Sequence, residues 1–404
     1  MTDFYRIPQS PIHFPNLNGI RFLAALLVII HHIEQIRSLF GLPNHWGNAS
    51  ILRFGDNGVT LFFVLSGFLI TYLLLVEREK FGQLAIGKFY LRRVLRIWPL
   101  YYFIVLLGLA VMPHLTFFSI PGLSGQVWDN LPQKILLFGL IVPNAALVLY
   151  GAVPYLSQAW SIGTEEQFYL FWPWVIKCAG KRVLPTLIVT AGFFIALKRI
   201  IAAWYHAAGS EPGPVVSFCY NILYFFRIEC MTIGAVFAAI LFLRHDTVLR
   251  WFMARPVQWG VLLSIICLLV WGRHLPLHEE IYSTLFGLLI LNLAAAKRPV
   301  LWMEHRWINF LGKISYGLYM LHMVAVVTVL RTLAPWLDAQ GPLFSWFLTL
   351  AAVMLLTVVL ASASYYGLEK PFLRLKEAFT RIRSQPDAVS TTHEPHEAAC
   401  SRLR

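Results

Sequence analysis

The stretch LNGIRFLAALLVIIHH, residues 17–32, decides the fold. Apolar residues run almost unbroken from Ile20 to Ile33, which reads as a membrane-spanning helix. Two ionisable side chains interrupt the run. Arg21 and His32 stand 11 residues apart, about 16 Å along an ideal helix axis, so the guanidinium lies near one membrane face and the imidazole well inside. Ionisable groups within a span are costly and mark function by default.

The rest of the chain has the same character. Its 404 residues are 58% hydrophobic and only 13% charged, with a mean hydropathy of +0.64, which excludes a globular domain with one soluble core and indicates an all-α, polytopic transmembrane bundle. Residues 1–16 are polar, and no small-residue cleavage site follows the first apolar run, so that helix is retained behind a short cytoplasmic N-terminal segment. The five cysteines show no CxxC spacing, which supports neither a zinc site nor a disulfide framework, and no metal is expected. The net charge of +13 reflects basic cytoplasmic loops rather than a nucleic-acid partner.

Apolar runs recur at about 17–36, 58–76, 98–115, 134–150, 162–178, 183–203, 220–243, 257–272, 280–296, 310–330 and 343–366. The loop with Arg78, Lys80, Lys88, Arg92, Arg93 and Arg96 is cytoplasmic by its charge, and the N-terminus shares that side. If every run crossed, the Lys177–Arg182, Lys297–Arg298 and Lys370–Lys376 clusters would lie outside. Demoting 134–150, which is interrupted by Pro143-Asn144, to a re-entrant segment leaves about ten spans and returns these clusters to the cytoplasm. Lys198 and Arg199 fit less well, near the outer end of a span, where snorkelling or a polar cavity would hold them. The transmembrane domain then covers 17–376, and the polar residues 377–404 read as a disordered cytoplasmic tail.

Six blocks stand in order: LNGIRFLAALLVIIHH, GVTLFFVLSGFLIT, FYLRRVLRIWPLYY, WSIGTEEQFYLFWP, LGKISYGLYMLH and LEKPF. Together they resemble the acyltransferase-3 family of integral membrane acyltransferases, over about residues 16–375. The resemblance implies transfer of an acyl group, often acetyl, from cytoplasmic acyl-CoA to a hydroxyl of a carbohydrate, glycolipid or other hydroxylated acceptor. Acyl-CoA is a co-substrate on this reading, with no permanently bound cofactor. Some members carry a further hydrolase-like domain; this chain has no room for one, and its membrane unit is expected to act alone or with a separate partner. Asn18 stands where members often have aspartate, and it can still cap a helix N-terminus.

Acyl transfer needs a base for the alcohol proton, donors for the developing oxyanion and cations for the CoA phosphates. His32 is the candidate base, since imidazole titrates near neutrality; a structural histidine bridging two helices is the alternative. His31 points about 100° away and lacks the family spacing. Arg93 and Arg96 share one helix face and are assigned to the donor phosphates, with Arg92 turned toward lipid headgroups. Arg21 completes the cationic pocket or snorkels.

Glu165 matches the family glutamate, and the ten-span topology sets it at the outer boundary, where it would bind sugar hydroxyls, orient the base or pair with Arg227. Trp160 and Tyr169 could stack on a sugar or belong to an interfacial aromatic belt. Arg227 and Glu229, two apart, each need a partner on another helix. Ser315, Tyr319 and His322 share one stripe, either a polar wall of the site or helix–helix hydrogen bonding. A small secondary metabolite as acceptor leaves the same residues in place. A transporter using Arg, His and Glu as a relay is the rival reading, disfavoured by the lack of an inverted repeat.

Overall fold

A computed structural model describes residues 12–209, 212–244, 246–296, 298–337 and 341–382. The expected tail beyond 382 and most of the N-terminal segment lie outside the described residues. Among the described residues the chain is all-helical, with no β-strand element. In order the helices are α1 (Leu17–Leu39), α2 (Ala49–Phe81), α3 (Ile86–Leu106), α4 (Leu131–Gly139), α5 (Pro143–Tyr150), α6 (Trp160–Ala179), α7 (Val183–Ala207) and α8 (Pro214–Phe226). They continue with α9 (Ile228–Phe242), α10 (Asp246–Phe252), α11 (Arg255–Trp271), α12 (His278–Ala295), α13 (Arg306–Lys313), α14 (Ser315–Leu337), α15 (Pro342–Ser364) and α16 (Lys370–Glu377).

The chain enters α1 at Leu17, as expected, but through a different boundary residue. Asn16, not Asn18, takes the boundary position, with a left-handed φ of 65° that asparagine tolerates. Its side chain accepts from the Met303 amide (2.8 Å) and donates to the Leu293 carbonyl (3.1 Å), tying the start of α1 to the end of α12. Asn18 instead lies inside the first turn and accepts a hydrogen bond from Arg21 Nη1 at 3.0 Å.

The bundle is built around α2, which packs against α1, α6, α9, α11 and α12. Glycines permit its closest crossings. A Cβ on Gly67 would lie 1.9 Å from the Met231 carbonyl oxygen, and one on Gly234 would lie 2.1 Å from that of Val64, so α2 and α9 meet backbone to backbone. Toward the outside the polarity is inverted relative to a soluble protein. Val189, 70% exposed, and Leu355 are among many large apolar side chains facing outward, whereas Arg227, Glu34, Asn57 and Glu229 are buried. Such an apolar exterior requires lipid around it.

Seven helices are long and apolar enough to cross a membrane, or eight if the pair α10 and α11, bent by 57°, counts as one broken span. The expected ten is not reached by this measure. The runs at 162–178 and 280–296 form α6 and α12, which are more polar: α6 carries Glu165 and Glu166 in its second turn and α12 carries Glu279 and Glu280 in its first. The run at 134–150 breaks into α4 and α5, of 9 and 8 residues, neither long enough to span. Lys198 and Arg199 are both held by carboxylates on neighbouring helices. Lys198 pairs with Glu229 (2.7 Å) and Glu279 (3.7 Å), and Arg199 with Glu280 (2.9 Å), as charges inside a bundle are expected to be.

Candidate active site

Two histidines from distant parts of the chain meet between α1 and α14. His32 Nδ1 lies 3.2 Å from His322 Nε2 and 2.9 Å from the Val28 carbonyl oxygen of its own helix. The His322 ring also reaches the Tyr319 carbonyl, with Nδ1 at 2.6 Å. Neighbouring groups lock α14 in place: the Tyr319 hydroxyl contacts Ser161 Oγ (2.7 Å) and donates to the Gln158 carbonyl (2.8 Å), while Gln158 Nε2 donates to the Met320 carbonyl (3.1 Å). His31 turns away, as expected for adjacent helical residues. Its Nδ1–H donates to the Ile51 carbonyl at 3.1 Å, and its ring packs edge-on against Trp46.

A second group gathers around the arginines. Arg21 of α1 and Arg93 and Arg96 of α3 lie within electrostatic reach of one another and of Glu165. None of the three forms an ion pair with a carboxylate among the described residues. Arg21 bonds Asn18. Arg93 rests over the rings of Phe89 (5.7 Å) and Tyr169 (5.8 Å), with its Nε buried and unpaired. The nearby carboxylates are engaged differently: Glu165 accepts from Ser66 Oγ (2.8 Å) and from the Tyr169 hydroxyl (2.9 Å), and Glu166 from Trp98 Nε1 (3.3 Å). The α16 helix packs back onto α3 and adds Lys376 to the same field. Three cations gathered without a carboxylate ion pair are suited to an anionic partner.

Several expectations change here. Glu165 does not sit at the opposite membrane face from Arg93 and Arg96, because α6 runs alongside α2 from its middle onward and sets Glu165 level with Ser66. It does not pair with Arg227, nor does it bond His32. Tyr169 is the hydrogen-bond partner of Glu165 rather than a free stacking platform. Arg92 does not face lipid headgroups: it pairs with Glu77 at 3.2 Å and donates to the Phe379 carbonyl.

The remaining candidates are engaged elsewhere in the bundle. Fully buried Arg227 stands at the α8–α9 junction with φ 28°, a backbone state that L-residues rarely adopt, and pairs with Asp56 at 2.9 Å. Its guanidinium lies over Trp160 (5.5 Å) and Tyr224 (4.9 Å). Glu229 is committed to Lys198. Ser315 is buried at the start of α14 and makes no hydrogen bond to the other candidates. The sequence reading missed Asp56, although the rule that singles out Arg227 applies equally to an acid in an apolar run. It also missed Gln158, Ser161 and Lys376. Nothing in the linear sequence shows α16 folding back over α3.

The family model for an acyltransferase domain, that of the acyltransferase-3 type, matches residues 14–366. A relative in Staphylococcus aureus strain COL, provisionally named an O-acetyltransferase, is 27% identical over 93% of this chain and 60% of its own length. The O-acetyltransferase OatA of S. aureus strain NCTC 8325 is 25% identical over 91% of this chain and 59% of its own length. The chain thus spans about 60% of the length of these curated relatives. No solved structure matches it.

Proposed function

We propose a reaction for this chain, which belongs to the acyltransferase-3 family: transfer of an acyl group, acetyl in the first instance, from acyl-CoA to a hydroxyl of a carbohydrate or glycan acceptor. The O-acetyltransferase names of the relatives support both the acetyl group and the oxygen acceptor. The observation that carries the donor is the set of Arg21, Arg93 and Arg96 without a carboxylate ion pair, which suits the phosphates of CoA. His32 accepts the hydroxyl proton as the acceptor oxygen attacks the thioester carbonyl. The tetrahedral intermediate then collapses with loss of the C–S bond, and the proton held by His32 goes to the departing thiolate. Trp160 and Arg227, which stack on one another, are assigned to the acceptor side.

The test is acyl-CoA affinity in nanodiscs. Replacing Arg93 and Arg96 together by Gln should weaken binding by more than about tenfold, since a hydrogen bond to a charged group contributes about 1.5–3 kcal/mol. Lys replacements keep the charge but lose the planar fork, and should recover only part of the affinity. Binding of the wild type should weaken as salt rises. A Gln pair that binds acyl-CoA as tightly as wild type would make these arginines topology anchors and remove the donor assignment.

A further inference from the structure

We infer that His322 is a positioning residue of His32: together with the Val28 carbonyl it keeps the proton on Nδ1 of His32, and it steadies the ring when it becomes charged. This inference rests on the reading of His32 as the base, and what each ring nitrogen faces assigns its proton. A carbonyl oxygen can only accept. His322 Nδ1, 2.6 Å from the Tyr319 carbonyl, therefore carries its proton, and in neutral imidazole that leaves His322 Nε2 as a bare acceptor. His32 Nδ1 faces this bare nitrogen at 3.2 Å and the Val28 carbonyl at 2.9 Å. With acceptors on both sides, Nδ1 of His32 must hold the proton. The lone pair is then on Nε2, which has no hydrogen-bond partner among the described residues and is the atom free to take a proton from a hydroxyl.

The same geometry supports the charged form. Once Nε2 has taken the acceptor proton, His32 is an imidazolium and its Nδ1–H becomes a stronger donor toward His322 Nε2. His322 thus has the place that a carboxylate holds in a Ser-His-Asp triad, orienting the base and stabilising its cation without touching the reacting atoms. A neutral acceptor stabilises a cation less than a carboxylate does, and the Val28 carbonyl remains as a second acceptor. Removing His322 should therefore cost less than the roughly 10⁴-fold lost when a triad carboxylate is neutralised. The titratable side chains nearest His32 are His31, at 5.0 Å between ring centroids, and His322, at 4.8 Å; no carboxylate bonds it among the described residues.

Two substitutions and one spectrum test the assignment. His322→Leu removes the acceptor, whereas His322→Gln places a side-chain carbonyl where Nε2 was. In membranes with equal amounts of folded protein, the Leu variant should lose about tenfold to hundredfold in kcat, a fraction of what a general base supplies. Its KM for acetyl-CoA should be unchanged, and the Gln variant should recover most of the loss. In wild-type protein carrying ¹⁵N-labelled histidine, Nδ1 of His32 should resonate as a protonated, pyrrole-like nitrogen and Nε2 as a bare, pyridine-like one. In the Leu variant the Val28 carbonyl still holds the proton on Nδ1, and the Nδ1 resonance should shift as its hydrogen bond to His322 is lost. The assignment is overturned by a wild-type His32 protonated on Nε2, by a Leu variant that turns over at the wild-type rate, or by Gln failing to rescue while the tautomer stays unchanged. The spectrum requires no turnover. A wild type that transfers no acetyl group would therefore defeat the acyl-transfer reading and leave the histidine pair to be judged on its tautomer alone.

Discussion

At the residue scale, the two adjacent histidines offer an internal control. His32 faces His322 and keeps one free nitrogen, whereas His31 is tied to the Ile51 carbonyl and packed on Trp46. Changing His32 to Ala should lower acyl transfer by about 10² to 10⁴, the range a general base contributes, while expression and insertion stay normal. His31→Ala should retain most of the rate. Acetyl incorporation assayed in membranes with matched protein levels separates the two, and near-normal turnover by the His32 variant would remove it from the mechanism. Arg21, His32, Arg93 and Arg96 were legible because each is an expensive residue in an apolar setting or stands in a recognisable block. Asp56 and Gln158 were not singled out, and the partner of His32 was unreadable because it lies 290 residues away.

At the element scale, the crossing of α2 and α9 depends on two positions without side chains. Gly67→Ala would drive a methyl group to 1.9 Å from the Met231 carbonyl, and a backbone atom cannot rotate aside as a side chain can. The helices must separate, at a cost of at least about 1–3 kcal/mol for overpacking. Gly192 of α7 is the matched control, where an added Cβ would meet nothing within 4 Å; its change to Ala should be neutral or stabilise by about 0.5–1 kcal/mol through helix propensity. Thermal unfolding in detergent measures both. Equal midpoints for the Gly67 variant and wild type would show that this crossing is not tight. Most element positions followed from apolar periodicity, since a span must satisfy its backbone internally as helix. What periodicity missed was the break of α8 from α9 at Arg227, which a buried ion pair to α2 holds in place.

At the scale of the whole molecule, the basic loops gather at one end of the bundle. Arg78 donates to the Ile176 carbonyl, Arg92 to that of Phe379, Arg381 lies over Phe81, and Asn16 bonds Leu293. The positive-inside rule predicts that this end faces the cytoplasm. Single cysteines at positions 181 and 298, in a background lacking the five native ones, should resist an impermeant thiol reagent applied to intact cells and react once the membrane is opened. Labelling from outside at either site would reverse the orientation. The sequence by itself determined that the chain is a helical membrane bundle and which charged residues are out of place in it, because hydropathy and the cost of a buried charge are local properties. Only the tertiary structure decided which of those charges meet. The joining of His32 to His322, of Glu165 to Ser66 and of Arg227 to Asp56 depends on how helices far apart in the chain cross. Those crossings are set by backbone close approach and by the pairing of polar groups that lipid cannot solvate.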